Sequence, residues 1–248
     1  MDSLFIIIPA YNEEQTISTV IDEWYKVIEK HPGNGKSRLV IVNDGSKDAT
    51  YDIMVEESKK REMFTPITKP NGGHGSTVLF GYHYALENGA DYIFQTDSDG
   101  QTSADEFENF WQQRKDNAMV IGWRNQREDG FSRIIVTNVL KFVLKLCFGV
   151  WITDANTPFR LIKSCSLRQH IDKIPEGFNL SNVLLSVLLA KSNSKVTYIP
   201  ITFKPRQGGV NSINLRKIIT IGWQAIKDFR TLNRNLNAHG NKTSHHQI

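Results

Sequence analysis

The sequence predicts an α/β protein whose mainly parallel sheet is covered by helices on both faces. Three observations lead there. Short apolar or β-branched runs, "LFIII", "RLVIVN", "TPITK", "DYIFQT" and "AMVIG", are each bounded by Asn, Asp, Gly or Pro, as strands are. Between them lie segments with helical spacing, such as "EEQTISTVIDEWYKVIEK" and "GSTVLFGYHYALENG". The two kinds alternate, and βαβα order implies parallel strands joined by crossover helices. A chain of 248 residues with 40% hydrophobic residues fits one globular domain with a sizeable core, two small domains being the alternative.

Taken in order, the opening "MDSLFIIIPAYNEE" lacks a basic leader, and its apolar run is too short for a signal peptide or a membrane span, so it reads as the first strand. Each following strand ends in an unusual loop: "PAYNEE" after the first, "NDGSKDAT" after the second, "PNGGHGS" after the third and "DSDGQT" after the fourth. After the fifth, the stretch Arg133 to Ile152, "RIIVTNVLKFVLKLCFGVWI", is strongly apolar but is interrupted at helical spacing by Lys141 and Lys145. Those lysines argue against a full span. They leave either a core helix with a wet lysine face or a helix lying in a membrane interface. "LRKIITIGWQAIKDFRTLNR" repeats this mixture near the end, and "NAHGNKTSHHQI" offers almost nothing to bury. The expected organisation is one domain over residues 1–235, divided into halves 1–124 and 125–235, with a flexible tail over 236–248.

The formal net charge of +4 suits an anionic partner without identifying it. No interleaved aromatic and basic motif supports nucleic-acid binding, which therefore ranks last. Cys147 and Cys165 form no CxxC pattern, so neither a disulfide framework nor a thiolate zinc site is expected, and a reducing compartment fits.

In parallel sheets ligands gather beyond the carboxyl ends of the strands, which directs attention to the loops. In "FQTDSDGQTS", Asp97 and Asp99 flank Ser98, and Gln101 adds a carbonyl oxygen. Several oxygens with no soft ligand suit Mg²⁺ or Mn²⁺, whose shell is completed by water and a substrate diphosphate. A solvated acidic turn before a helix is the competing reading. The "PNGGHGS" loop matches neither the Walker nor the dinucleotide fingerprint. Tight turns account for Gly72, Gly73 and Gly75 as well as phosphate binding does, and His74 stays outside the candidate set.

Together, "IIIPAYNEE", "VIVNDGSKDAT", "KPNGGHGS" and "DSDGQ" resemble, in this order, the nucleotide-diphospho-sugar glycosyltransferases of family 2 with the GT-A fold. The dolichyl-phosphate mannose synthase-like and bacterial polyprenyl-phosphate sugar transferases are the most similar branch. The resemblance spans Leu4 to Arg124 and continues less closely to about Leu215. It implies that Pro9, Ala10, Tyr11, Glu13 and Val42 surround the donor nucleoside and that Asp44 hydrogen-bonds its base. It further implies that Asp97, Ser98 and Asp99 meet the donor, with Asp97, Asp99 and Gln101 as metal ligands. A carboxylate accepts an imino N–H from uracil or guanine alike, so UDP- and GDP-sugars both stay open. Asn43 stands where an aspartate is common in the family. Pro9 as a strand end, Asp44-Gly45 as a turn and Asp48 as a helix cap remain alternatives.

For the acceptor, the resemblance places Arg124 and Arg133 on a lipid phosphate, with Asn138 beyond them, a task suited to guanidinium groups. "DANTPFR" carries Pro158 where glycine is frequent. "FKPRQGGVNSIN" places Arg206 over a phosphate and has Ile213 where lysine is usual. The function implied is metal-dependent, inverting transfer of a sugar from a nucleoside diphosphate to a polyprenyl phosphate, peripherally on the cytoplasmic face of a membrane. An alternative acceptor is a sugar hydroxyl, for which Asp154 becomes the candidate catalytic base. A nucleotide-sugar-binding module without catalysis is the non-enzymatic alternative. The particular sugar and the oligomeric state are not legible.

Overall fold

Strand β1 (Leu4–Ala10) is buried along its whole length, as expected of a strand covered by helices on both faces. This computed structural model describes residues 1–124, 131–204, 227, 229–231, 233 and 234. Helix α1 (Ile17–Lys30) buries Ile17, Val20, Ile21, Trp24, Val27 and Ile28, the one-sided stripe that its spacing predicts. There follow β2 (Arg38–Asn43), α2 (Thr50–Ser58), β3 (Phe64–Thr68), α3 (His74–Glu87) and β4 (Tyr92–Gln95). Next come α4 (Phe107–Gln112), β5 (Met119–Arg124), α5 (Phe131–Phe148), β6 (Arg160–Lys163), α6 (Ser164–Arg168), α7 (Ser181–Lys191) and β7 (Val196–Ile201).

The strands form one seven-stranded sheet in the order β3-β2-β1-β4-β6-β5-β7. β1 pairs in parallel with β2 on one side and β4 on the other, and β2 pairs in parallel with β3. β6 runs antiparallel to both β4 and β5, while β7 is parallel to β5. The sheet is therefore mainly parallel, as predicted, with β6 making it mixed. Because β1 to β4 run the same way, their carboxyl ends and the loops that follow share one edge. The strand order reverses direction at β1, which opens the crevice between the β1 and β4 loops.

Alternate residues of the strands feed two apolar layers. Phe5, Ile7, Val40 and Ile93 pack toward α3, α5 and α7. Leu4, Ile6, Ile8, Leu39 and Phe94 pack toward α1 and α4. On the second face Trp24, Phe94, Phe107, Phe110 and Phe159 form a ring cluster, with the Phe94 and Phe159 centroids 4.7 Å apart. On the first face α3 crosses β1 so closely that a Cβ at Gly81 would stand 2.3 Å from Ile7 Cγ2.

Five strands were expected, and seven are present among the described residues. β6 has only two apolar residues between Arg160 and Lys163, and β7 is largely half-buried and contains Pro200, so neither gives a clear apolar run. Pro66 in β3 and Pro200 in β7 lie on the two edge strands, where a missing N–H costs no ladder bond.

The helix in the Arg133–Ile152 stretch is a core helix along one side and exposes apolar residues along the other. Val143, Leu144, Cys147 and Phe148 are buried in the core, whereas Phe142 and Leu146 are 66% and 58% exposed, as is Trp151 at 67%. Among the described residues no helix is long and apolar enough to cross a membrane. Of the second mixed stretch, Phe229 is fully buried, with its ring against Phe148 and Phe178. At that point the segment packs on protein. The rest of it, the tail and Arg206 lie outside the described residues.

Candidate active site

A cleft of about 470 Å³ opens at the carboxyl edge of the sheet, lined by Pro9 and Ala10 at the end of β1, by Tyr11 and Glu13 after it, by Asp44 after β2, and by Asp97, Ser98 and Asp99 after β4. The structure thus brings together these eight candidates from the carboxyl ends of three strands and the loops that follow them. Asn71, Gly73, His74 and Thr77 complete the wall; they come from the glycine-rich loop and the first turn of α3.

The β1 and β2 loops are stitched to each other. The Asn12 N–H donates to Ser46 Oγ at 2.9 Å, and the Lys47 N–H donates to Asn12 Oδ1 at 2.9 Å. The Glu13 N–H donates to Thr50 Oγ1 at 2.8 Å. Asp48 does serve the start of α2, accepting from the Thr50 N–H at 3.1 Å, and its other oxygen takes the Glu14 N–H at 3.2 Å. Asn43 uses both ends of its amide: Nδ2 donates to Thr68 Oγ1 at 2.9 Å and Oδ1 accepts the Ser46 N–H at 3.2 Å. An aspartate there could only accept. Across the crevice Ser98 Oγ donates to the Pro9 carbonyl at 2.9 Å.

Asp44 is the anchor of the glycine-rich loop. Its Oδ1 accepts the Gly72 N–H and its Oδ2 the Gly73 N–H, each at 2.8 Å. Lys69 pairs with Oδ1 as well. Burial pushes the Asp44 pKa up, but the hydrogen bonds from Lys69, Gly72 and Thr77 and the Lys69 charge outweigh it and hold the carboxyl below its ordinary value. The amides at the entry to α3 therefore face a protein carboxylate. Gly73 has φ +84°, and a Cβ on Gly75 would meet the Asn179 carbonyl oxygen at 2.4 Å, so one glycine serves a turn and the other a close approach.

His74, left outside the candidate set, stands with its Nε2 2.8 Å from Asp97 Oδ1. Burial would lower its pKa, but the charge and hydrogen bond of Asp97 and the charge of Asp99 prevail and raise it. No local pattern signalled this contact; the placement follows from α3 crossing β1 on its way from β3 to β4, which sets its first residue beside the β4 loop. Gln95 Nε2 also reaches Asp97 Oδ1, at 3.1 Å.

Other candidates lie elsewhere. Gln101 is buried beside the β7 end: its Nε2 donates to the Lys204 carbonyl at 3.0 Å, and the Lys204 N–H donates to its carbonyl at 2.8 Å. Val42 is fully buried in β2 and packs in the core. Asp154 is buried near Arg160 and Tyr198, on whose titration its charge acts. Arg160 itself is fully buried, donating to the carbonyls of Ala155, Thr157 and Asn182 and so fastening "DANTPFR". Arg124 ends β5 and Arg133 lies in α5; their side chains are outside the described residues.

Among the described residues no group of three His, Cys, Asp or Glu side chains is placed to hold a metal ion. The chemistry of the cleft fits Mg²⁺ or Mn²⁺ bound through one or two carboxylates, because such ions retain waters and take further oxygens from phosphates.

The fold is that of the GT-A glycosyltransferases. Glucosyl-3-phosphoglycerate synthase from Mycobacterium tuberculosis, solved with Mn²⁺ and UDP-glucose, matches with TM-score 0.65 at 13% identity, over 93% of this chain and 79% of that one. S. aureus TarS 1-349 in complex with UDP matches with TM-score 0.54 at 17% identity, over 79% of this chain and 57% of that one. Residues 5–171 match Glycosyl transferase family 2, and the chain belongs to that family.

Among curated relatives, a dolichyl-phosphate beta-glucosyltransferase of Trichomonas vaginalis is 32% identical over 50% of this chain and 41% of its own length. A UDP-N-acetylglucosamine–dolichyl-phosphate N-acetylglucosaminyltransferase of Methanococcus voltae is 29% identical over 66% of this chain and 71% of its own length. An undecaprenyl-phosphate 4-deoxy-4-formamido-L-arabinose transferase of Pectobacterium atrosepticum is 20% identical over 87% of this chain and 64% of its own length. Two of the Trichomonas vaginalis relatives are matched over less than half of their length, at 41% and 46%.

Proposed function

We propose that this chain is a glycosyltransferase that moves a sugar from a nucleoside-diphosphate sugar to a polyprenyl phosphate at a membrane surface. The observation that carries the reading is the convergence of Asp97 and Asp99 with the β1 and β2 loops on one cleft at the switch point of the sheet. Membership of the family and the lipid-phosphate acceptors named for several relatives support it.

In this reading Pro9, Ala10, Tyr11 and Glu13 enclose the nucleoside, and Asp44 meets the base with what its carboxylate retains beyond the glycine-loop donors. Asp97 and Asp99 hold the divalent ion, and a bound Mg²⁺ or Mn²⁺ would neutralise the charge gathering on the departing nucleoside diphosphate. An oxygen of the acceptor phosphate attacks the anomeric carbon from the face opposite the diphosphate, the bond to the diphosphate oxygen breaks, and configuration inverts. A phosphate is already ionised near neutral pH and needs no base. Arg124, Arg133 and Arg206 hold the acceptor phosphate.

The exposed residues Val139, Phe142, Leu146 and Trp151 stand beside Lys141 and Lys145. In the proposed role they rest on the cytoplasmic face of a membrane, with apolar groups entering the acyl boundary and lysines reaching anionic headgroups. The test is a panel of UDP- and GDP-sugars with Mn²⁺, read first as thermal stabilisation and then as sugar transfer to a short-chain polyprenyl phosphate. Stabilisation by no nucleotide sugar would contradict the donor assignment.

A further inference from the structure

A buried row of polar side chains runs from α7 through the sheet to Asp97. Gln95, the last residue of β4, is fully buried, and its Nε2 donates to Asp97 Oδ1 at 3.1 Å. Its Oε1 accepts from Asn182 Nδ2 at 2.9 Å, and Asn182 Oδ1 accepts from the Tyr82 hydroxyl at 3.0 Å. The carboxylate dictates the polarity of the whole row. With the Gln95 amide nitrogen turned toward Asp97 Oδ1, its oxygen is left to accept; Asn182 then offers its own nitrogen to Gln95 Oε1, and its oxygen takes the Tyr82 proton. Burial raises the Tyr82 pKa far above its ordinary value, so that proton stays in place.

Asn182 is itself fixed. It stands in the first turn of α7, where its carbonyl accepts from Arg160 Nη1 at 3.0 Å. Its neighbour Ser181 donates from Oγ to the Gly75 carbonyl at 3.0 Å. Burying two amides among Val, Leu and Ile side chains is unfavourable unless their hydrogen bonds are met. Apolar residues would fill that space without this requirement. What the amides add is a directed hydrogen bond on one oxygen of Asp97.

We propose that Asn182, acting through Gln95, is a positioning residue for Asp97, setting the orientation in which this carboxylate meets the metal-bound diphosphate of the donor. The inference rests on the donor-site reading above. It gives α7, whose segment falls outside every strand-end loop, a role in the reaction without contact to substrate.

The test measures the Mn²⁺ dependence of UDP binding, and of GDP binding in parallel, by calorimetry on the full chain. Asn182→Ala and the near-isosteric Gln95→Met should each raise the Mn²⁺ concentration for half-saturation by about 10–100-fold, the usual effect of removing a group that orients a metal ligand. Nucleotide affinity at saturating Mn²⁺ should stay within about twofold of wild type, since no contact to the base is touched. The double variant should be no worse than the more affected single variant, because both changes cut one row. Metal-free melting curves report folding separately, and if Asn182→Ala does not melt cooperatively, Gln95→Met decides by the same criteria. A folded variant with Mn²⁺ dependence within about twofold of wild type overturns the proposal, as do fully additive effects in the double variant. Wild-type protein without Mn²⁺-dependent binding of either nucleotide overturns the donor-site reading itself, and the proposal with it.

Discussion

Asp44→Ala removes the carboxylate on which the Gly72 and Gly73 N–H groups and the Lys69 ammonium converge. Lys69 is left with its side chain only 12% exposed and its ionic partner gone. Hydrogen bonds to charged groups contribute about 1.5–3 kcal/mol each, and stripping one partner from a buried pair costs about 3–5 kcal/mol. The donors are shared and partly recover water, so we expect a loss of about 3–5 kcal/mol rather than the sum. For a chain of this size that lowers Tm by about 6–20 °C. Asp44→Asn keeps the shape and loses the charge, with an expected loss of about 1–3 kcal/mol.

The assay is urea denaturation followed by circular dichroism, at constant m-value. The pH dependence gives a second check. The folded pKa of Asp44 lies below its ordinary 3.8, so its contribution is fully present above that value and is lost as pH falls through the folded pKa. The stability gap between wild type and Asp44→Asn should therefore hold from neutral pH down to about 4 and close below it. A loss under about 1 kcal/mol for Asp44→Ala would refute the anchoring role and return Asp44 to an ordinary turn residue.

Gly75→Ala should destabilise by about 1–3 kcal/mol in the same urea assay, because its Cβ would meet the Asn179 and Phe178 carbonyl oxygens at 2.4 and 2.5 Å; an unchanged midpoint contradicts that packing. Phe142→Glu combined with Leu146→Glu should release the protein from anionic vesicles in sedimentation while leaving Tm within about 2 °C, since both side chains are exposed. Undiminished sedimentation rules out this face as the membrane contact. Arg124→Ala and Arg133→Ala should each abolish transfer to polyprenyl phosphate with nucleotide affinity held within about twofold, as expected of separate sites. Weak donor binding in those variants moves the arginines to the donor site.

The crevice was legible because its walls are short, polar, strand-end loops set against apolar runs: "PAYNEE", "NDGSKDAT" and "DSDGQT" announce themselves by composition. Their convergence follows from the parallel order of β1, β2 and β4. What the sequence did not disclose was long-range pairing. His74 meets Asp97 because α3 crosses β1 between β3 and β4, and Gln101 turns to Lys204 because the chain returns past it after β7. Gln95 and Asn182 are 87 positions apart, and no local pattern relates them. β6 and β7 escaped notice because one has only two apolar residues between Arg160 and Lys163 and the other is an edge strand with a proline. On α5 the amphipathic division was visible, but which apolar residues face the core depends on packing against the sheet.

The most direct test of the central claim is sugar transfer itself. Wild type and Asp99→Asn are incubated with Mn²⁺, radiolabelled UDP- or GDP-sugars and a short-chain polyprenyl phosphate, and label is followed into the organic phase together with release of the nucleoside diphosphate. The account predicts that one donor gives a glycosyl-phosphoryl lipid with equal release of nucleoside diphosphate. It also predicts that Asp99→Asn or EDTA removes the activity, since a hard-cation site loses an anionic ligand or its ion. Undiminished transfer after either treatment, or label passing only to a hydroxyl acceptor while polyprenyl phosphate is ignored, would contradict it.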